Sequence, residues 1–121
     1  MIIGGFSNGR VVLPVNFYLM EDTSLVIDCV VDTGFNDYLT LPPQAVTAMN
    51  LSFYSMTSAR LANGVEYQIP VHWAKIRWDE QEQIVPVLAT GTKPLLGASL
   101  LRGFRLVIEF ADDGLVMVEK M

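Results

Sequence analysis

With 121 residues, the chain has room for one domain around one core. A net charge of −5 argues against nucleic acid as a partner, and no run approaches the ~20 apolar residues of a helical membrane span. Hydrophobic residues make up 51% of the chain, which is high for a small monomer and predicts apolar surface covered by a partner.

The opening Met1-Ile2-Ile3-Gly4-Gly5-Phe6 has no basic start and no long apolar run, so no signal peptide is expected and the default compartment is the cytoplasm. Gly4 and Gly9 are followed by Arg10-Val11 and a strand-like run, not by the Lys-Ser/Thr and helix that a phosphate loop needs. Val11 to Leu19 reads as a strand. Pro14 lacks an N–H, which predicts an edge position or a bulge. The turn Glu21-Asp22-Thr23-Ser24 leads into Leu25 to Val31 and makes a hairpin of the two. Within the second arm, Asp28 reads as facing outward or meeting a partner, and the single cysteine, Cys29, as a buried small hydrophobe.

That strand ends in Val30-Val31-Asp32-Thr33-Gly34. Two β-branched residues carry the chain into the core, and a carboxylate, a hydroxyl and a glycine follow. Gly34 is expected to turn the chain sharply through positive φ. The flanks Leu25-Val26-Ile27 and Tyr38-Leu39-Thr40-Leu41 read as buried strands, so Asp32 sits on a rigid loop between them. A carboxylate there is costly unless it is hydrogen-bonded or used. The same tripeptide is also ordinary composition for a turn.

Proline at its start and Asn50 at its end predict a short helix from Pro42 to Asn50, with Val46 and Met49 on one face. Asn63-Gly64 lies between Met56 to Leu61 and Val65 to Ile69, the pattern of a two-residue type I′ hairpin. Both arms are polar, which fits a hairpin held loosely to the body. Val71 to Trp78 alternates as a strand, with His72 expected to face solvent or to be satisfied. With one His and one Cys, no metal site is expected. Asp79-Glu80-Gln81-Glu82 is a charged turn, and Ile84 to Ala89 a strand. A Leu96-Gly97 turn and a short helix from Ser99 to Arg102 follow. Phe104 to Phe110 and Leu115 to Glu119 form the last hairpin. About eight strands and two helices in one domain, 1–121, predict a mostly β fold: a closed, mostly antiparallel β-barrel with one or two short helices.

The ordered pair of blocks, Val30 to Gly34 and Pro94-Leu95-Leu96-Gly97-Ala98-Ser99-Leu100-Leu101, with a hairpin between them, resembles the retropepsin-like aspartic proteases, nearest to their single-domain bacterial members. The resemblance spans Val26 to Phe110. It implies an acid-protease barrel and an endopeptidase in which Asp32 and Asp32 of a second copy form the catalytic dyad across a homodimer. A single Asp-Thr-Gly per chain requires that second copy. Thr33 and Gly34 complete the active-site loop. Leu96 and Gly97 buttress it. The hairpin at Asn63 and Gly64 closes over an extended peptide, and Phe35 crowds or fills a subsite. No cofactor is implied. The terminal segments Met1-Ile2-Ile3 and Leu115 to Val118 are the expected dimer sheet, with pairing inside one chain as the alternative. Phe35, Asn36 and Ala98 depart from the viral relatives, which carry a small residue at the first position and an acid–Arg pair at the other two; Asp37 and Arg102 are the nearest substitutes for that pair. A non-catalytic module that dimerises or binds peptide is the second reading, and a plain structural domain the third.

Overall fold

The computed structural model describes residues 1–20, 22–60 and 63–121. Glu21, Leu61 and Ala62 lie outside the described residues, and with them part of the predicted Glu21 turn and the end of the predicted Met56 to Leu61 arm. The fold is mostly β with two short helices. Alternation builds the first long strand: in β3 (Arg10–Tyr18), Leu13, Val15 and Phe17 are fully buried while their neighbours are not. It pairs antiparallel with β4 (Ser24–Val31) from Val12↔Val30 to Tyr18↔Ser24. Cys29 is buried on β4, and burial pushes its thiol up to about 12, as suits an inert core residue.

Pro14 does not mark an edge. The other side of β3 pairs with β2 (Gly5–Ser7) at residues 10–12 and with β7 (Glu66–Trp78) at residues 16–18. Pro14 falls between those two partners, where a missing N–H interrupts neither ladder.

The β3–β7 pairing closes a ring. From β4 the order continues through β9 (Leu95–Leu96), β5 (Leu39–Leu41) and β8 (Gln81–Ala89) to β7, with β6 (Ser52–Arg60) outside it. The sheet is mixed: most pairings are antiparallel, as the pattern predicts, and two are parallel. β9 runs parallel to β4 (Val30↔Leu95, Val31↔Leu96), and β5 runs parallel to β8. The parallel pairing of β4 with β9 is what brings the ends of those two strands, Asp32 and Gly97, to the same rim. Inside the ring, Leu13, Phe17, Leu39, Leu41, Ile76 and Val87 are fully buried and form its core with their neighbours.

Helix α1 (Pro43–Ala48) follows β5 and buries Val46. Asn50, at φ 53°, stops it as read, and the Leu51 amide returns to the Val46 carbonyl (3.3 Å). Helix α2 (Ala98–Leu101) is a single turn that buries Leu100. No described helix is long and apolar enough to cross a membrane.

Two hairpin turns differ from the pattern. The β6–β7 register pairs Arg60 with Glu66 and Ala59 with Tyr67. A two-residue Asn63-Gly64 turn would instead set Arg60 opposite Tyr67, so the connection is longer and Asn63 lies at its centre. The type I′ geometry belongs to Asp79-Glu80, where both residues have positive φ (47° and 66°) between the paired Trp78 and Gln81. A second sheet has the order β1 (Ile2–Ile3), β11 (Val116–Lys120), β10 (Phe104–Ile108). Ile2 pairs with Val118 and Ile3 with Met117 in the same chain. The two terminal segments therefore pair with each other within one chain, the alternative given above.

Candidate functional site

The site begins where β4 stops. The Val30 amide donates to the Pro94 carbonyl and the Asp32 amide to the Leu96 carbonyl, both at 2.9 Å, so the strand is anchored up to the acid itself. Past that point the chain folds back. The Phe35 amide donates to the Asp32 carbonyl (3.1 Å), closing a four-residue turn, and the Gly34 amide donates to Asp32 Oδ1 (3.0 Å). The carboxylate is half-buried and fixed by its own loop. It makes no hydrogen bond to a second carboxyl among the described residues.

The second block grips the first. The Gly97 amide donates to the Tyr38 carbonyl (2.8 Å), the Ala98 amide to the Phe35 carbonyl (2.8 Å) and the Ser99 amide to the Asp37 carbonyl (3.2 Å). Ser99 Oγ donates to the Asn36 carbonyl. Leu96 is fully buried and holds β9 in the core. Gly97 has to be glycine: a Cβ there would lie 2.2 Å from the Asp37 carbonyl oxygen and 2.7 Å from that of Phe35. The Phe35 ring also lies against Gly97, with Cδ2 2.6 Å from the same point. Phe35 thus packs into the support of the loop.

Gly34 behaves otherwise. Its φ is not positive, against expectation, and an added Cβ would meet only Asp32 Oδ1, at 3.4 Å. The turn between Asp32 and Phe35 is built without left-handed backbone, so nothing inside the chain demands a glycine at position 34. Thr33 is exposed, and its hydroxyl makes no hydrogen bond to another described residue. Both groups face outward beside the acid.

No protein-family model matches the chain, and no curated protein matches it.

Two supporting residues escaped the pattern. Thr40 is 4% exposed, and its Oγ1 accepts a hydrogen bond from the Leu95 amide (3.2 Å), fastening β9 to β5 from inside the sheet. A hydroxyl amid the apolar run Leu39–Leu41 was the available signal. Ser99, whose hydroxyl reaches back to the loop, carried none beyond its place after Gly97. Asp37 and Arg102 do not replace a missing ion pair, since neither is in a salt bridge among the described residues. His72 is half-buried and edge-on to Phe53 (5.6 Å), with Nδ1 buried and unpartnered. The ring borders a surface cleft beside Val46 and Pro70. No group of three or more metal-ligating side chains occurs among the described residues.

The structure joins Asp32, Thr33, Gly34 and Phe35 to Leu96 and Gly97. It does not join Asn63 and Gly64 to them. Those two sit at the tip of the β6–β7 hairpin, where Asn63 Oδ1 accepts from the Val65 amide (3.0 Å). The hairpin has sides after all: Thr57, Ala59 and Ile69 are half-buried on one, and Ser58, Arg60 and Gln68 are exposed on the other. Ala59, Tyr67 and Ile69 border a cleft of about 330 Å³ against Ala89 and Thr90, the start of the connection leading to β9.

Proposed function

We propose that the chain is an aspartic endopeptidase of the retropepsin-like type, active as a homodimer and cutting extended peptides. In this reading the ring-like sheet is the closed barrel of that family. The single observation that carries it is the Asp32 loop locked to Leu96–Ser99: an acid held on rigid backbone, with an outward threonine and glycine beside it. Two such loops meeting across a twofold axis bring two carboxyls together. Like charges about 3 Å apart do not both ionise, so the pair shares one proton. The ionised member takes a proton from water as that water attacks the peptide carbonyl. The protonated member donates to the carbonyl oxygen. The β6–β7 hairpin lies over the peptide, offering backbone hydrogen bonds and excluding water.

The second reading, a non-catalytic module that dimerises or binds peptide, is favoured by one fact: among the described residues of one chain Asp32 has no partner carboxyl. Cleavage of a peptide library from acid to neutral pH separates the two. Wild type is expected to cleave, and Asp32→Asn to lose a factor of about 10² to 10⁴ or more while keeping its fold. A wild type inert on every peptide and at every pH hands the site to the second reading.

A further inference from the structure

We propose that Asn63 is a self-modifying position, where the folded hairpin tip promotes deamidation through the backbone nitrogen of Gly64. The chain has two Asn-Gly pairs, Asn8-Gly9 and Asn63-Gly64, and both are exposed. In each, a glycine without a Cβ leaves its nitrogen free to approach the preceding carboxamide. The fold treats the two pairs differently. Asn8-Gly9 is a tight turn inside a ladder: Ser7 pairs with Arg10, and both central residues have positive φ (51° and 75°). Ring closure has to swing the Asn8–Gly9 peptide out of that geometry, against the pairing on either side. Asn63-Gly64 stands outside its ladder, whose last described pair is Arg60↔Glu66. Asn63 is not left-handed, and the space beside Gly64 is open.

Of the two carboxamides, only that of Asn63 accepts a hydrogen bond from a described donor, the Val65 amide (3.0 Å). That bond spans Gly64 and folds the side chain back towards the nitrogen that attacks it. It also draws electron density from Cγ and stabilises the oxyanion that forms on Oδ1 as Cγ becomes tetrahedral. Base removes the Gly64 amide proton, the nitrogen bonds to Asn63 Cγ, and Nδ2 leaves as ammonia. Water then opens the five-membered imide at either carbonyl. One route gives aspartate. The other gives isoaspartate, whose backbone runs through the former side chain and is one methylene longer. Either product places a new negative charge at the tip of a hairpin in an already acidic chain. Asp32 takes no part, so the step is independent of the protease reading; in that reading it alters the hairpin over the path of the peptide.

The test is incubation of the full chain at neutral pH, followed by peptide mass spectrometry and by isoaspartate counting through enzymatic methyl transfer from S-adenosylmethionine. Each site is followed in the folded chain and in denaturant, so that the ratio of the two rates cancels the effect of neighbouring sequence. Asn63 is expected to react at least as fast folded as unfolded, whereas folding slows Asn8 about tenfold or more. Val65→Pro removes the donor to Oδ1 and is expected to lower the ratio at Asn63 about 2- to 10-fold, the effect of one exposed hydrogen bond. Far-UV circular dichroism checks that variant's fold, and if it misfolds the two wild-type ratios decide. A folded chain that protects Asn63 as strongly as Asn8 overturns the proposal. So does a folded Val65→Pro chain with an unchanged ratio.

Discussion

The Asp32 loop and the β6–β7 hairpin both face solvent, but they are held in opposite ways. Four backbone hydrogen bonds run between residues 32–38 and 96–99, and fully buried Leu96 and Leu39 lie directly beneath. The hairpin has no buried residue among those described between 52 and 70. Besides their ladder, its two arms are linked to each other by surface side chains: Gln68 Nε2 donates to Ser58 Oγ (2.7 Å) and Arg60 pairs with Glu66 (3.0 Å). Backbone-to-backbone locking over a core fixes a group to within tenths of an ångström. Side-chain pairing at a surface fixes almost nothing. In the protease reading proposed above, the first kind of support lies under the acid and the second kind around the path of the peptide.

The sharpest break of this contrast is Gly97→Ala. The new methyl collides with two backbone carbonyls, so stability should fall by about 3 kcal/mol or more in chemical denaturation. A loss within experimental error would mean that the loop is less tightly gripped than its geometry states. Thr40→Val comes next. It keeps the shape and leaves the Leu95 amide buried without an acceptor, at a cost of about 1–3 kcal/mol. Gly34→Ala tests the other glycine. Its methyl has room, so unfolding should shift by less than about 0.5 kcal/mol, while association and cleavage fall. Equal damage from the two glycine variants would erase the distinction between a glycine the chain needs and one its surroundings need. Arg60→Ala, removing an ion pair exposed on both sides, should change stability by about 0.5 kcal/mol or less. Hydrogen exchange sharpens the comparison without any substitution: the amides of Ala59 and Tyr67 should exchange well before those of Asp32, Gly97 and Ala98.

Much of the rigid region was legible in the sequence because its signals are local. Leu13, Val15 and Phe17 alternate as a half-buried strand must. Proline and Asn50 bracket α1. The two apolar-pair-then-glycine blocks mark the loop and its support. What failed to show was set by pairing across long distances. β9 is two residues long, and only its partners make it a strand, so its parallel course could not be read. The Asn63-Gly64 pair carried the expected turn composition, but the register of β6 against β7 overrode it, and the tight turn went to Asp79-Glu80, which has no glycine. Gly34 was assigned the wrong reason: open space outside the chain is invisible to a pattern that records only backbone freedom. The terminal strands were equally apolar in either pairing, and the choice between a partner's sheet and their own lay in the tertiary structure.

The wedge of β9 between β4 and β5 has a consequence for the order of events in synthesis. Val30 and Leu95 lie more than half the chain apart in sequence, and closing so long a loop costs entropy before the contact returns anything. While the polypeptide emerges, Val30 and Asp32 lack the carbonyls of Pro94 and Leu96, and residues 35–38 lack Gly97, Ala98 and Ser99. The acid then sits on an ordinary floppy turn. Only when residues 94–99 have left the ribosome can the last brace slide into the ring and give Asp32 its geometry. Until those residues emerge, the Asp32 loop lacks the four backbone bonds that fix it in the folded chain.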